Sequence, residues 1–318
     1  MAIHVNVDNF VHAETARMFA DLQRDAGGVN RFAHNRAPAA VEHQPVVRLN
    51  RDTLYSFAVV DISAGATMRV PEHGERYVSV MVVDQDHYIA GIEHDAGVYR
   101  LHADDVGTPY VGIAVRILVD PTSPQDVAAV VDLQDRFELH AASSVPFELP
   151  DYDSASFDTT RKALLTLAAG LDAFDRMFGA RGTVDPVRHL IGTAAGWGGL
   201  PSEEATYLGV NPGLPPGAYE LTVRDVPVDA FWSISVYDAN GFFVPNATGV
   251  YGVNSVTGVR NDDGSITVRF GDHGPGVPNT IPTPIGWNYL VRLYRPRPEV
   301  LDGRWAFPTL ERSQLGAR

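Results

Sequence analysis

The sequence predicts an α+β protein that is mainly β: two β-sandwich or jelly-roll-like modules joined by a helical connector, with a short N-terminal helix. Three observations support this class. Runs of β-branched residues between turn residues fill two stretches, helical periodicity fills the stretch between them, and the two β-rich stretches share one order of motifs. The predicted segments are 1–30 (N-terminal helix), 31–122 (first β module), 123–200 (connector) and 201–318 (second β module).

The first elements follow from hydrophobic spacing and turn residues. Between Asp8 and Arg24 apolar residues recur with a helical period, and Gly27 and Gly28 end the pattern. After Pro45 the character changes to short β-type runs separated by glycine, proline and aspartate. The predicted strands of this module are Leu54–Ile62, Thr67–Val70, Tyr77–Val83, Tyr88–Ile92, Val98–Leu101 and Val111–Val119.

The connector and the second module follow in the same way. Ser123 is a good N-cap for a helix that is predicted to run to about Ala141, and an apolar stripe predicts a second helix over Phe157–Phe178. β-type spacing then returns after Pro201. The predicted strands of the second module are Tyr219–Val223, Phe231–Tyr237, Ile266–Phe270 and Trp287–Tyr294.

The two β modules look like copies of one plan. The stretch Gly65–Pro71 followed by Tyr77–Asp84 can be aligned with Gly217–Val223 followed by Phe231–Asp238, and both second strands end in aspartate. Similar composition alone could produce some of this likeness. Because separate segments match in the same order, we favour an internal duplication.

Composition and the absence of common motifs exclude several function classes. The 318 residues carry a net charge of −14, which disfavours binding to nucleic acid or anionic lipid. No apolar run approaches the roughly 20 residues of a membrane helix, and the N-terminus lacks the apolar stretch of a secretion signal, so we expect a cytoplasmic protein. The chain has no cysteine. The hydrolase elbow, zincin, Walker and dinucleotide motifs are also absent from the sequence, so no organic cofactor is expected.

Polar residues gather immediately before the first predicted strand. They are Arg48, Asn50, Arg51, Asp52 and Tyr55. Guanidinium groups that bind an anion, a carboxylate base and a phenol could meet here, so Asp52, Tyr55, Arg48 and Arg51 are the candidate catalytic residues. The alternative is an Asp turn with a structural Arg–Asp pair that ties this segment to the strand.

A second polar group, Asp84, Asp86, His87 and His94, has the ingredients of a metal site or an acid–base pair. Because these residues match no fixed ligand spacing, a solvated hairpin tip is favoured, and no metal is assigned.

The second module supplies aromatic and amide side chains that could wall a ligand pocket. The predicted substrate-binding residues are Asn50, Trp232, Tyr237, Asn246, Asn254 and Arg292. Burial in the core would explain Trp232 and Tyr237 equally well. Arg116 and Arg292 lie in apolar strands at matching places of the repeat, where each must be paired or face a cavity.

These motifs resemble a pair of bacterial families known as domains of unknown function, numbers twelve-fifty-four at the N-terminal side and twelve-fourteen at the C-terminal side. The first is similar in Asp52–Ser56, Asp61–Ser63, Pro71, Gly74, Arg76-Tyr77, Asp84 and Leu133–Asp135. The second is similar in Gly217, Tyr219, Phe231–Asp238, Asn246, Asp263–Ser265, Arg292–Tyr294 and Leu301–Trp305. The resemblance implies β-sandwich or jelly-roll modules joined by helices. It implies no particular catalytic residues.

Two functions remain from the sequence. The first is a cofactor-independent enzyme that acts on a small carbonyl- or carboxyl-bearing molecule by general acid–base chemistry, as a hydrolase, lyase or isomerase. The second is a non-catalytic protein, built from paired jelly rolls, that binds a small molecule or carbohydrate or assembles into a homo-oligomer. The density of ionisable residues before Leu54 favours the enzyme.

Overall fold

The computed structural model describes residues 1–44, 46–171 and 174–313. Its helices are α1 (Phe10–Ala26), α2 (Ala103–Val106), α3 (Pro124–Gln134), α4 (Ser154–Ala168), α5 (Pro186–Gly196) and α6 (Pro298–Leu301). The strands of the N-terminal half are β1 (Ala33–His34), β2 (Thr53–Asp61), β3 (Ala66–Val70), β4 (Val78–Val83), β5 (Ile89–Glu93), β6 (Gly97–Leu101), β7 (Tyr110–Leu118) and β8 (Glu138–Ala141). The strands of the C-terminal half are β9 (Ala205–Val210), β10 (Tyr219–Val223), β11 (Trp232–Tyr237), β12 (Gly252–Asn254), β13 (Ile266–Phe270), β14 (Thr280–Ile281), β15 (Asn288–Tyr294) and β16 (Glu311–Arg312).

The chain forms two compact units. The first contains Met1–Arg36, Thr53–Val119 and Gln125–Ser202, and the second contains Ala37–Asp52, Asp120–Pro124 and the chain from Glu203 onward. Most of the segment predicted as a connector therefore lies within the first unit. The predicted α+β class, rich in β-structure and with a short N-terminal helix, is confirmed.

The first unit is a β-sandwich. A five-stranded antiparallel sheet in the order β1-β2-β7-β4-β5 and a three-stranded sheet in the order β6-β3-β8 share one apolar core. Val80 on β4, Val115 on β7 and Met68 on β3 belong to this core, and all three are fully buried. Because side chains alternate along a strand, this one buried face of each sheet sets the strand register.

Helix α1 packs on the same unit through a second apolar cluster. Phe19 is fully buried beside Val59 of β2. A Cβ at Gly112 of β7 would lie 2.8 Å from the Phe19 ring, so glycine at that position lets the helix approach the sheet. The helix ends at Gly27, whose positive φ of 71° forms a left-handed C-cap. Throughout the described part of the chain, every helix is too short or too polar to cross a bilayer.

The second unit is also a β-sandwich. One sheet has the order β12-β11-β15-β9 and the other the order β14-β13-β10-β16, and residues of both fill one core. Trp232, Ile234 and Val236 of β11 point into that core. The alternate residues of β11 therefore lie on the outer face of the sheet, where Ser233 is fully buried beneath another segment of the chain.

Two predicted helices end earlier than the sequence indicates. The helix after Ser123 stops at Gln134, because the chain turns there and enters β8 at Glu138, whose backbone pairs with β3. The helix predicted over Phe157–Phe178 is observed as α4 and ends at Ala168, one residue before Ala169-Gly170. Glycine in a helix interior costs about 1 kcal/mol relative to alanine, which favours an end here. Residues 172 and 173 of that prediction lie outside the described residues.

The repeat predicted from the sequence appears as the same turn in both units. Oδ1 of Asp84, after β4, accepts the backbone N–H groups two and four residues later at 2.9 and 2.8 Å. Oδ1 of Asp238, after β11, accepts the same two positions at 2.9 Å each. Each strand thus ends in an aspartate-capped turn of the same hydrogen-bond pattern.

The repeat also places the same residue types across three neighbouring strands. In the first unit directly paired residues are Tyr55, Arg116 and Ser79, and in the second they are Tyr207, Arg292 and Ser233. An identical tyrosine–arginine–serine row at the same place in both sheets supports the duplication.

Candidate functional site

Asp52 is anchored in the second unit by residues that are distant in sequence. Its Oδ2 accepts the hydroxyl of Ser233 at 2.6 Å across 181 positions of the chain. Its backbone N–H donates to Oδ1 of Asn50 at 2.9 Å, and Nδ2 of Asn50 donates to the hydroxyl of Tyr294 at 3.0 Å. Asp52 is 8% exposed, so these hydrogen bonds set the orientation of its carboxylate.

A buried guanidinium lies next to this carboxylate and holds the same segment. Arg292, on β15 opposite Ser233, is 2% exposed. It donates to the hydroxyl of Tyr237 at 2.7 Å, to the carbonyl of Arg48 at 2.8 Å and to the hydroxyl of Ser235 at 3.0 Å. Burial alone would lower the pKa of Arg292, but the neighbouring tyrosines and Asp52 hold that pKa above its ordinary value. Arg292 is therefore a permanent buried cation that fastens residues 48 and 49 to the sheet.

A pocket of about 360 Å³ opens beside Asp52 within the second unit. This volume is within the range of small-molecule sites. Of the predicted residues, Arg51, Asp52 and Asn254 line it. The other residues that line it are Asp120–Thr122, Ser235, Phe243, Gly249–Val253, Thr257–Val259 and Gly276–Thr280.

The cationic side chain of Arg51 lines this pocket and forms few contacts with the described part of the protein. Its Nη1 donates to the carbonyl of Ala39, and its guanidinium lies 5.3 Å from the ring centre of Tyr251. Among the described residues, no carboxylate forms an ion pair with it. Burial lowers the pKa of Arg51, and the nearby Tyr251 and Glu42 partly oppose this shift. Its remaining donors are available to an anion.

Asn254 also lines the pocket, and the hydrogen bonds that its side chain forms with the described residues all go to its oxygen. It lies on β12 directly opposite Ser233 and is 3% exposed. Its Oδ1 accepts the backbone N–H groups of Val256 and Thr257 and the hydroxyl of Thr257 at 2.8–3.0 Å. Within the described ranges, its Nδ2 has no protein acceptor, so this donor is left for the pocket.

The other residues predicted in the second unit lie elsewhere. Trp232 is in the sandwich core, on the opposite face of β11 from Ser233. Tyr237 is buried against Arg292, with its hydroxyl donating to the carbonyl of Leu49 at 2.9 Å. Asn246 forms a local turn that accepts from Thr248 at 2.8 and 3.1 Å. None of these three side chains lines the pocket.

The first predicted cluster is divided between the units. Arg48 is exposed in the second unit, where its guanidinium lies 5.9 Å from the ring centre of Tyr237. Tyr55 is on β2 of the first unit, stacked on Phe57 at 5.8 Å and beneath the guanidinium of Arg116 at 5.6 Å. A joint site of Arg48, Asp52 and Tyr55 stays a prediction.

The group at Asp84–His94 is held by internal contacts of the first unit. Asp84 and Asp86 both accept from Arg181, at 3.1 and 3.0 Å, and Asp86 also contacts His12 at 3.1 Å. His87 is buried. Across the described part of the chain, no three histidine or acidic side chains are grouped so that they could hold one metal ion.

Ser233 and Ser235 are the contributors that sequence reasoning missed. Both lie on the outer face of β11, one bonded to Asp52 and the other to Arg292. The alternation of serine with large apolar residues in Trp232–Tyr237 is a signal that could have identified them, because hydroxyls at every second position of an apolar strand must face one common side.

The fold and the site define a protein of two β-sandwich units with a ligand-sized pocket in the second. Residues 29–141 match the family described as "Protein of unknown function (DUF1254)", and residues 214–298 match "Protein of unknown function (DUF1214)". The chain therefore belongs to the proteins that carry this pair of families in this order. No curated protein matches it.

Two solved structures resemble the chain over nearly its whole length. The VPA0106 protein of Vibrio parahaemolyticus is 17% identical with a TM-score of 0.75, and the match covers 97% of this chain and 98% of that one. A putative uncharacterized protein from Burkholderia cenocepacia is 13% identical with a TM-score of 0.54, covering 98% and 88%. At these identities the likeness concerns the fold alone.

Proposed function

We propose that the second unit binds a small carboxyl- or carbonyl-bearing molecule in the pocket beside Asp52 and acts on it by general acid–base chemistry, without an organic cofactor. The observation that carries the proposal is that one pocket wall holds an anchored carboxylate and a guanidinium for which the described residues offer no ion-pair partner. The reaction would be of the hydrolase, lyase or isomerase type.

Each residue has a separate task in this proposal. Arg51 binds the carboxylate of the substrate or the negative charge that develops on a carbonyl oxygen. Asp52 takes a proton from the substrate and returns it later in the cycle. Ser233 and Arg292 are positioning residues, since one fixes the Asp52 carboxylate at 2.6 Å and the other fixes the backbone of residues 48 and 49.

The experiment is a substrate panel followed by proton NMR. The full chain is incubated with small carboxylic acids, hydroxy acids, esters and lactones, and any compound that changes is used to compare variants. We expect Asp52→Asn to lower turnover at least a hundredfold, because general base catalysis contributes about 10²- to 10⁴-fold. We expect Arg51→Met to weaken substrate binding.

Asp225→Asn is the matched control, because Asp225 is exposed in the same unit, at a positive φ that asparagine tolerates, and does not line the pocket. Turnover by Asp52→Asn equal to that of the control would remove the base from the mechanism.

The second candidate is a binding protein without catalysis. It is favoured by the Asp52–Ser233 hydrogen bond, since a carboxylate that holds a loop onto a sheet needs no chemical role. In that case panel compounds would raise the melting temperature, stay chemically unchanged after long incubation, and bind Arg51→Met more weakly. Asp52→Asn would then lower the melting temperature of the free protein.

A cytoplasmic location and assembly into a homo-oligomer belong to the same proposal. Cell fractionation and light scattering of the purified chain test them directly.

A further inference from the structure

The polar groups of the Asp52 pocket restrict what can bind there. Asp52, as a carboxylate, can only accept hydrogen bonds, and Ser233 occupies its Oδ2. Nδ2 of Asn254 can only donate, and the three hydrogen bonds of that side chain all end on Oδ1. A ligand that fills this part of the pocket must therefore offer a donor to Asp52 and an acceptor to Asn254.

Both of these groups are next to Ser233. Ser233 is hydrogen-bonded to Asp52 and is the direct cross-strand partner of Asn254. Side chains of directly opposed residues have Cβ atoms about 4.5–5.5 Å apart, so Asp52 and Nδ2 of Asn254 flank one region of the pocket wall. One ligand group that both donates and accepts would satisfy both.

A hydroxyl group has this property, whereas an ammonium or a carboxylate group does not. An ammonium group would satisfy Asp52 but would direct its hydrogens at the donor of Asn254. A carboxylate would satisfy Asn254 but would meet the negative charge of Asp52. A second carboxylate on the wall, Asp120, adds to that repulsion. The carboxylate of a ligand is instead expected at Arg51, which has no ion-pair partner in the described part of the chain.

We infer that the ligand of this pocket is a small hydroxycarboxylate of the sugar-acid type. Its carboxylate binds Arg51, and one hydroxyl donates to Asp52 while accepting from Nδ2 of Asn254. The inference rests on the proposed function in so far as both use the same pocket, and it deepens that function by naming the substrate class. The volume of about 360 Å³ accommodates a molecule of monosaccharide size.

The test is titration calorimetry of the full chain with three probes of similar size. D-glucuronate carries both groups, D-glucose lacks the carboxylate, and hexanoate lacks the hydroxyls. We expect D-glucuronate to bind at least tenfold more tightly than either of the others. Failure of D-glucuronate to bind at millimolar concentration, or equally tight binding of one of the other probes, would overturn the inference.

Asn254→Asp is the decisive variant. It keeps an oxygen at Oδ1 for Val256 and Thr257 but replaces the donor Nδ2 by an acceptor. We expect it to weaken D-glucuronate binding at least tenfold. Asn211→Asp is the control, since Asn211 lies on an exposed loop and its Oδ1 accepts from the backbone N–H of Gly213 at 3.2 Å, a bond that aspartate keeps. Equal affinities of the two variants would contradict the assignment of Asn254.

A second variant keeps the inference testable if Asn254→Asp unfolds. Arg51→Met should reduce the affinity for D-glucuronate to that for D-glucose and leave D-glucose binding unchanged. An unchanged preference for D-glucuronate over D-glucose in this variant would contradict the assignment of the carboxylate to Arg51.

The outcome also separates the two levels of the proposal. Tight binding of D-glucuronate with no chemical change in any hydroxy acid would keep the ligand class and remove the catalysis. Turnover of an acid without hydroxyls, lost in Asp52→Asn, would keep the catalysis and remove the ligand class.

Discussion

Replacing His87 by glutamine is expected to flatten the pH dependence of stability below neutral pH. His87 is 2% exposed in the first unit. The backbone N–H of Gly198 donates to its Nε2 at 2.8 Å, so the neutral ring carries its proton on Nδ1, which donates to the hydroxyl of Thr193 at 2.8 Å. That hydroxyl in turn donates to the carbonyl of His189 at 2.9 Å. A second proton on the ring would break the bond from Gly198.

Burial and, secondly, the neighbouring His189 lower the pKa of His87 from 6.5 to about 3. The unfolded chain therefore binds one more proton than the folded chain at this site between about pH 6.5 and pH 3. The stabilisation from neutral His87 is complete above pH 6.5 and is lost at about 1.4 kcal/mol per pH unit as the pH falls toward 3. Between pH 7 and pH 5 this amounts to about 2 kcal/mol.

Urea unfolding followed by tryptophan fluorescence measures this difference, because the ring of Trp197 stacks on His87 at 5.3 Å. The free energy of unfolding of the unaltered chain should fall by about 2 kcal/mol more between pH 7 and pH 5 than that of His87→Gln. His87 has a positive φ of 62°, and any strain that glutamine adds there is the same at both pH values. It therefore does not affect the difference between pH 7 and pH 5. His102→Gln, at an exposed site of the same unit, should keep the full pH dependence. Equal pH dependence in the unaltered chain and His87→Gln, or an NMR titration of His87 near pH 6.5, would refute the reasoning.

Two further predictions concern the second unit and are checked by urea unfolding. Arg292→Met should lower the free energy of unfolding by about 3 kcal/mol, since buried acceptors such as the hydroxyl of Tyr237 and the carbonyl of Arg48 lose their donor. A decrease of less than about 1 kcal/mol would contradict the anchoring role. Gly271→Ala should lower stability by more than about 1 kcal/mol, because the φ of 88° disfavours a side chain and its Cβ would collide with the carbonyl oxygen of Gly217. Gly264 has a similar φ of 82°, but a Cβ there would meet no atom within 4 Å, so Gly264→Ala measures the backbone strain alone. We expect it to lower stability less than Gly271→Ala does.

Much of the fold could be predicted from local pattern. The strands over Tyr219–Val223 and Ile266–Phe270 were predicted at their observed limits, because β-branched runs bounded by glycine and proline have few alternatives. The aspartates after β4 and β11 form the turns that their position after a strand indicates. Ends of helices were predicted less well, since the pairing of β8 with β3 depends on residues that are far apart in sequence.

The candidate site could be predicted only in part. The stretch before β2 was identified by its density of charged residues, and Arg51 and Asp52 do line a pocket. Trp232 and Tyr237, by contrast, are both large aromatics in one strand, and composition does not tell which face of that strand meets the core. The strand pairing decides it, placing Trp232 in the core and Tyr237 beside Arg292.

The sequence by itself determined the α+β class, the family pair, the duplicated strand–turn plan and the residue types that carry charge. These follow from neighbouring residues, because hydrophobic periodicity, turn chemistry and charge are local properties of the chain. Only the tertiary structure decided that Asp52 meets Ser233 and that Asn254 faces the same pocket, because those contacts join residues up to 181 positions apart. Such contacts depend on strand order and register, which the packing of the whole unit sets.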